Sequence, residues 1–169
     1  MFLIDTNVVS ELRRPRPHRA VVDWINGIAD YELYLSVVTL AEIQVGIEMT
    51  RDQDASKASE IENWLDQVSR TYNVLPMDAQ TFRLWAKLMH RQSDTVYEDA
   101  MIAATAIVHQ LTVMTRNVRD FERFQVSMFN QKFVRTKQSV ATKKHLTLNT
   151  VADPFPLCYM RGGGLSSRV

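Results

Sequence analysis

Met1-Phe2-Leu3-Ile4-Asp5-Thr6-Asn7 is the stretch on which the reading of the whole chain turns. An apolar run ends in an acid, and a polar pair follows. The pattern predicts a short buried strand that delivers the Asp5 carboxylate to the end of a sheet, where a helix begins. In open α/β sheets, ligands bind at the carboxyl ends of the strands. Three further segments place an acid at a predicted helix entrance: Glu42, Asp99 and Asp120. One such acid is ordinary capping. Four predict a cluster.

The segments around Asp5 alternate between two periodicities. Strands are predicted at Phe2–Ile4, Leu33–Val37, Asn73–Leu75, Leu111–Met114 and Val126–Phe129. Helices are predicted at Asn7–Arg13, with Asn7 as its cap, around Val21, Trp24, Ile25 and Ile28, and at Thr39–Met49. Further helices are predicted around Ile61, Trp64, Leu65 and Val68, around Phe82, Trp85, Leu88 and Met89, at Thr95–Gln110 and at Val118–Phe124. The alanines 100, 103, 104 and 106 allow Thr95–Gln110 to pack closely on a neighbour. Strands alternating with helices predict an α/β fold with a mainly parallel sheet.

The 169 residues suffice for about one domain. With 46% apolar residues the chain can bury a core of ordinary size. No run approaches a membrane span, and no secretory signal is evident. A single cysteine, Cys158, excludes an intramolecular disulfide and a cysteine-based zinc site. A reducing cytoplasm is the expected compartment. The net charge of +1 hides an asymmetry. Residues 131–169 carry seven Lys/Arg and one Asp, whereas residues 1–130 are acidic at −5. The expected organisation is one folded domain over 1–130 and a basic, flexible tail over 131–169. An acidic domain that handles phosphates needs a cation to mediate the contact.

Each acid has a structural reading beside the functional one. Thr39-Leu40-Ala41-Glu42 matches a capping box, in which Thr39 and Glu42 satisfy the first N–H groups of a helix. Thr95-Val96-Tyr97-Glu98 repeats the pattern, assigns capping to Glu98, and leaves Asp99 for another task. Asn117 with Asp120 reads either as a cap or as part of a site. Asp5 has the weakest structural reading, because an Asp at the inner end of an apolar strand is uncommon without a task. Converging carboxylates repel one another, and a divalent cation removes that cost. All-oxygen ligands suit Mg²⁺ or Mn²⁺. The matching chemistry is metal-assisted phosphodiester hydrolysis. The four histidines show no ligand-pair spacing, the tryptophans fit helix core faces, and neither a phosphate-binding glycine loop nor a serine-nucleophile motif is present.

Four stretches together resemble the PIN-domain ribonucleases, specifically the VapC-type toxins of bacterial toxin–antitoxin pairs. They are Leu3–Glu11, Leu35–Ile43, Asp99–Ala106 and Thr115–Phe121, in the family's order and spacing over residues 1–130. The resemblance implies a three-layer fold with a central, mainly parallel sheet. It maps the family's acids onto Asp5, Glu42, Asp99 and Asp120, with Asp5 and Asp99 holding Mg²⁺. Asn117 stands where some members carry Asp. Thr115, Arg116 and Asn117 are expected to orient substrate, water or a carboxylate. The implied activity is a toxin that hydrolyses RNA to 3′-hydroxyl and 5′-phosphate ends and is neutralised by a cognate antitoxin. A homodimer is expected, with DNA bound only through the antitoxin complex. Two alternatives stand beside it. One is a catalytically silent PIN-like module acting as antitoxin partner or co-repressor. The other, ranked low, is a haloacid-dehalogenase-type phosphatase, which needs a second Asp where this chain has Asn7.

Overall fold

The computed structural model describes residues 1–130. The expected basic tail, 131–169, lies outside the described residues. Five strands, β1 (Phe2–Ile4), β2 (Leu33–Ser36), β3 (Asn73–Leu75), β4 (Thr112–Met114) and β5 (Met128–Phe129), form one sheet in the order β3-β2-β1-β4-β5. Every neighbouring pair is parallel. The chain winds outward from β1 to β3 on one side, then returns to β1's other flank for β4 and β5. The crevice between β1 and β4 is therefore the topological switch point, where such sheets bind ligands.

Period-two alternation assigns β1's side chains to two cores. Ile4, paired in register with Leu35 and Met114, packs with α1 (Thr6–Leu12), α2 (Arg19–Gly27) and α4 (Ala55–Thr71). Leu3, opposite Val113, faces α6 (Tyr97–Val108) and α7 (Val118–Glu122) across the other core. The result is the expected three-layer α/β architecture. Ala100, Ala103 and Ala106 are fully buried in that second core, so the small residues do bring α6 close. Trp24 and Trp64 border the first core and Trp85 the second, the packing role predicted for them.

Three helix entrances differ from the sequence expectation. α3 (Val37–Arg51) begins two residues early and is capped by Ser36, whose hydroxyl accepts from the Val38 N–H at 3.2 Å. Thr39 is buried inside the helix, so Thr39–Glu42 is not a capping box. α6 is entered from a 3₁₀ turn, Asp94–Val96, capped by Ser93, and Val96 stands at its N-cap with no side-chain bond. Glu98 therefore has no capping bond. α1 has Asp5, not Asn7, at its N-cap position; the Asp5 carbonyl accepts from the Val8 and Val9 N–H groups at 2.9 and 3.1 Å. For α1 and α3 the preceding strand ends one residue before the helix begins, or directly at it, whereas α6 continues from the 3₁₀ turn. The N-cap position then falls on the polar residue at or just after the strand end, Ser36 for α3 and Asp5 for α1. α4 starts at Ala55, six residues before Ile61, where the predicted pattern begins, because Asp54 caps it by accepting from the Lys57 N–H at 2.9 Å. α5 (Ala79–Leu88) is capped by Asp78 in the same way. Among the described residues no helix is long and apolar enough to cross a membrane.

Candidate active site at the carboxyl edge of the sheet

The parallel register brings the ends of β1, β2 and β4 to one edge. Asp5 follows β1, Thr115 follows β4, and the Asp5 N–H donates to the Met114 carbonyl at 3.0 Å. Asp5 is only 3% exposed. Its Oδ2 accepts from the Thr115 hydroxyl at 2.7 Å and from the Asn7 amide. Burial raises the Asp5 carboxyl from 3.8 to about 6, the Thr115, Thr6 and Asn7 hydrogen bonds oppose the rise, and the Asp120 charge adds to it.

Glu42 reaches the same edge from the second turn of α3. Its Oε2 accepts from the buried Thr6 hydroxyl at 2.6 Å. Burial pushes Glu42 from 4.5 up to about 8; the Thr6 bond opposes this, and the charges of Asp5, Glu98 and Asp99 add to it. The first turn of α6 presents Glu98 and Asp99 together. The structure thus brings Asp5, Glu42, Asp99 and Asp120 within electrostatic reach of one another in a chain, Asp120 acting on Asp5, and Asp5 and Asp99 on Glu42. It adds Glu98, which sequence reasoning had assigned to capping.

Thr115 holds the edge together. It is fully buried, donates to Asp5, and accepts from the Asn117 N–H at 2.9 Å. Its hydroxyl thereby fixes one oxygen of the Asp5 carboxylate. Asn117 stands at the start of α7 without capping it; its side-chain amide bonds Asp120 instead. Asn7 lies inside α1 and bridges three groups, donating to Asp5 and Thr115 and accepting from the Arg116 N–H at 3.2 Å. The Arg116 guanidinium pairs with Glu11 at 2.6 Å rather than being merely solvated. Thr6, Asn7 and Glu11 were not among the sequence candidates. The available signal was position: Asn7 and Glu11 are one turn apart on one face of the helix that starts at Asp5.

Beside the acids, a groove of about 490 Å³ is lined by Val38, Ala41, Val45, Met77, Phe82 and Met101, with Glu42 and Glu98 in its wall. Val37 and Val45 of α3 and Phe82 of α5 are exposed apolar side chains along it, and Met49 is a further exposed one on α3.

The donor chemistry of the edge fits a hard divalent cation. The acids are all-oxygen donors, and burial first, with neighbouring like charge added, raises the carboxyls of Asp5 and Glu42. Among the described residues no three His, Cys, Asp or Glu side chains are gathered into a ready-made ligand set.

The chain is similar to known proteins in sequence and in fold. The PIN domain family model matches residues 2–126. Toxin FitB of Neisseria gonorrhoeae is 32% identical over 137 residues, which span 77% of this chain and 97% of FitB. The VapC ribonuclease Y4jK of Sinorhizobium fredii is 36% identical over 139 residues, 77% of this chain and 96% of that protein. Among solved structures, the FitAcB crystal structure from N. gonorrhoeae contains a chain that superposes with a TM-score of 0.69 at 30% identity, covering 79% of this chain and all of that one. A family model that matches most of the chain, with relatives above 30% identical along nearly their whole length, shows that the chain belongs to the PIN-domain family.

Proposed function

We propose that this protein is a metal-dependent endoribonuclease that acts as the toxin of a toxin–antitoxin pair in the cytoplasm. The observation that carries the reading is the acidic strand edge, where buried Asp5 and half-buried Glu42 have raised pKa values and Asp99, Asp120 and Glu98 stand close by. The relatives named as a toxin and as a VapC ribonuclease support the reading. Asp5 and Asp99 would hold Mg²⁺ or Mn²⁺, with Glu42 and Asp120 binding through water or orienting it. A bound cation would supply a more acidic water and stabilise charge developing on the phosphate. The chain's own groups do the rest. Thr115 and Asn7 fix the Asp5 carboxylate. Glu42, with a pKa near neutral, can accept and return a proton at Oε2. Arg116 and Asn117 stand where the β4–α7 connection would meet substrate. The products would be a 3′-hydroxyl and a 5′-phosphate.

The expected partners are an antitoxin, a second copy of the chain, and DNA only through the antitoxin complex. Solved FitAB bound to a DNA fragment supports the last point. The exposed apolar residues of α3 and α5 support a protein-binding face. The test is cleavage of RNA by the full chain with Mg²⁺, with EDTA, and with Asp5→Asn. Mg²⁺-dependent cleavage that Asp5→Asn abolishes is expected; cleavage in EDTA, or an unchanged variant, refutes the mechanism. One observation favours the alternative of a silent binding module: Asp120 is engaged by Asn117, and no three-acid ligand set is gathered among the described residues. Absence of Mg²⁺ and Mn²⁺ binding by calorimetry would select that alternative.

A further inference from the structure

Glu11 is an acid, 3% exposed, that the edge chemistry leaves unused. Its Oε1 accepts from the His18 N–H at 2.9 Å, and its Oε2 pairs with Arg14 at 2.9 Å and Arg116 at 2.6 Å. The two arginines are not equivalent. Arg14 is three residues away on the chain and serves the end of α1. Arg116 arrives from 105 residues away, in the connection that follows β4. Its backbone N–H bonds Asn7, which in turn bonds Asp5, so Arg116 stands two hydrogen bonds from the acidic edge.

A cation in that position needs explaining. An arginine beside Asp5, Glu42 and Asp120 would be drawn onto those carboxylates and would occupy the space a metal needs. Glu11 competes from a buried site, where charge pairs are screened less than at the surface. The guanidinium has five donors in a rigid fork. Its side chain is 37% exposed, against 4% for Glu11, so one edge is gripped while another faces solvent. We propose that Glu11 is a positioning residue that holds Arg116 as a clamp for an RNA phosphate at the border of the acidic edge. The inference rests on the ribonuclease reading above. It assigns Glu11 a function through Arg116, and assigns Arg14 none.

The test is binding of a labelled single-stranded RNA to the full chain carrying Asp5→Asn with Mg²⁺, so that nothing is cleaved, across a series of salt concentrations. Arg116→Ala is expected to weaken binding about tenfold, the scale of one charge-assisted contact. The slope of log affinity against log salt is expected to fall by about 0.7, one phosphate contact on a single strand. Glu11→Gln is expected to weaken binding in the same direction, and to add nothing in the Arg116→Ala background. Arg14→Ala, which breaks an ion pair to the same Glu11 oxygen, is expected to keep wild-type affinity and slope. In cleavage by chains with Asp5 intact, Arg116→Ala and Glu11→Gln are expected to raise KM more than they lower kcat. Equal effects of Arg14→Ala and Arg116→Ala, or an Arg116→Ala slope unchanged from the parent, would overturn the clamp. RNA binding and cleavage in Arg116→Ala equal to those of the parent would overturn the clamp while leaving the ribonuclease reading intact. Absence of both in the parent chain would overturn the two together.

Discussion

Glu42→Gln isolates the electrostatic cost that the acidic edge imposes on the metal-free fold. Gln keeps the size of Glu and an oxygen that can accept from Thr6, but removes the charge. The Glu42 carboxyl is raised from 4.5 to about 8, chiefly by burial. A group raised in the folded state contributes its stability in full below the unfolded pKa and loses it as pH rises through the folded one. The metal-free wild type should therefore lose stability between about pH 4.5 and pH 8 on account of this residue. The span corresponds to a ceiling of roughly 5 kcal/mol at 1.36 kcal/mol per pH unit. Residual exposure and relaxation of the edge leave about 2 kcal/mol as the expected gain, or about 4–8 °C in melting temperature for a chain of this size. The assay is thermal melting in EDTA at pH 4, 7 and 9. Glu42→Gln should match wild type at pH 4 and exceed it at pH 9. A variant less stable than wild type at pH 9, or a difference independent of pH, would refute the assignment of burial and like charge as the dominant forces on Glu42.

Other perturbations separate the same forces. Asp99→Asn in EDTA should melt at the wild-type temperature or above it, because it relieves repulsion on Glu42; a fall of several degrees would show that Asp99's structural contacts outweigh the repulsion. Ser36→Ala should cost about 1 kcal/mol in chemical denaturation by removing the α3 cap, and no loss would return the capping task to Thr39 and Glu42. Thr115→Val should cost about 1–3 kcal/mol, since it strips the hydrogen bond from buried Asp5 and leaves the Asn117 N–H without its acceptor. It should also reduce RNA cleavage; full activity would remove Thr115 from the site.

Much of this edge could be read from residue order alone. The apolar run Phe2–Ile4 ending in Asp5 predicts the central strand and its acid because a buried strand forced to end in a carboxylate has few other uses. Asn73–Leu75 coincides with β3, and the alanine pattern of α6 reports close packing. The helix entrances were less legible. Ser/Thr-x-x-Glu identifies a capping box only if the helix begins at its first residue. Here Ser36 starts α3 three residues earlier, and a 3₁₀ turn leads into α6. That shift of one turn returns Glu42 and Glu98 from structural duty to the acidic edge, and removes the argument that had distinguished Asp99 from Glu98. Glu11 was invisible for a different reason. Its partner Arg116 is distant in sequence, and only the β1–β4 pairing brings them together.

The central claim is the proposal that the acidic edge binds a divalent cation, and proton release tests it most directly. At pH 7 Glu42 is mostly protonated in the metal-free protein. A divalent cation held by Asp5 and Asp99 would lower the Glu42 pKa, so binding of Mg²⁺ is expected to expel a proton. Calorimetric titration of Mg²⁺ into the full chain, in buffers of different ionisation enthalpy, should show buffer-dependent heat equivalent to most of one proton. The dependence should vanish in Glu42→Gln. Binding with no buffer dependence in the wild type, or no binding at all, would contradict the account.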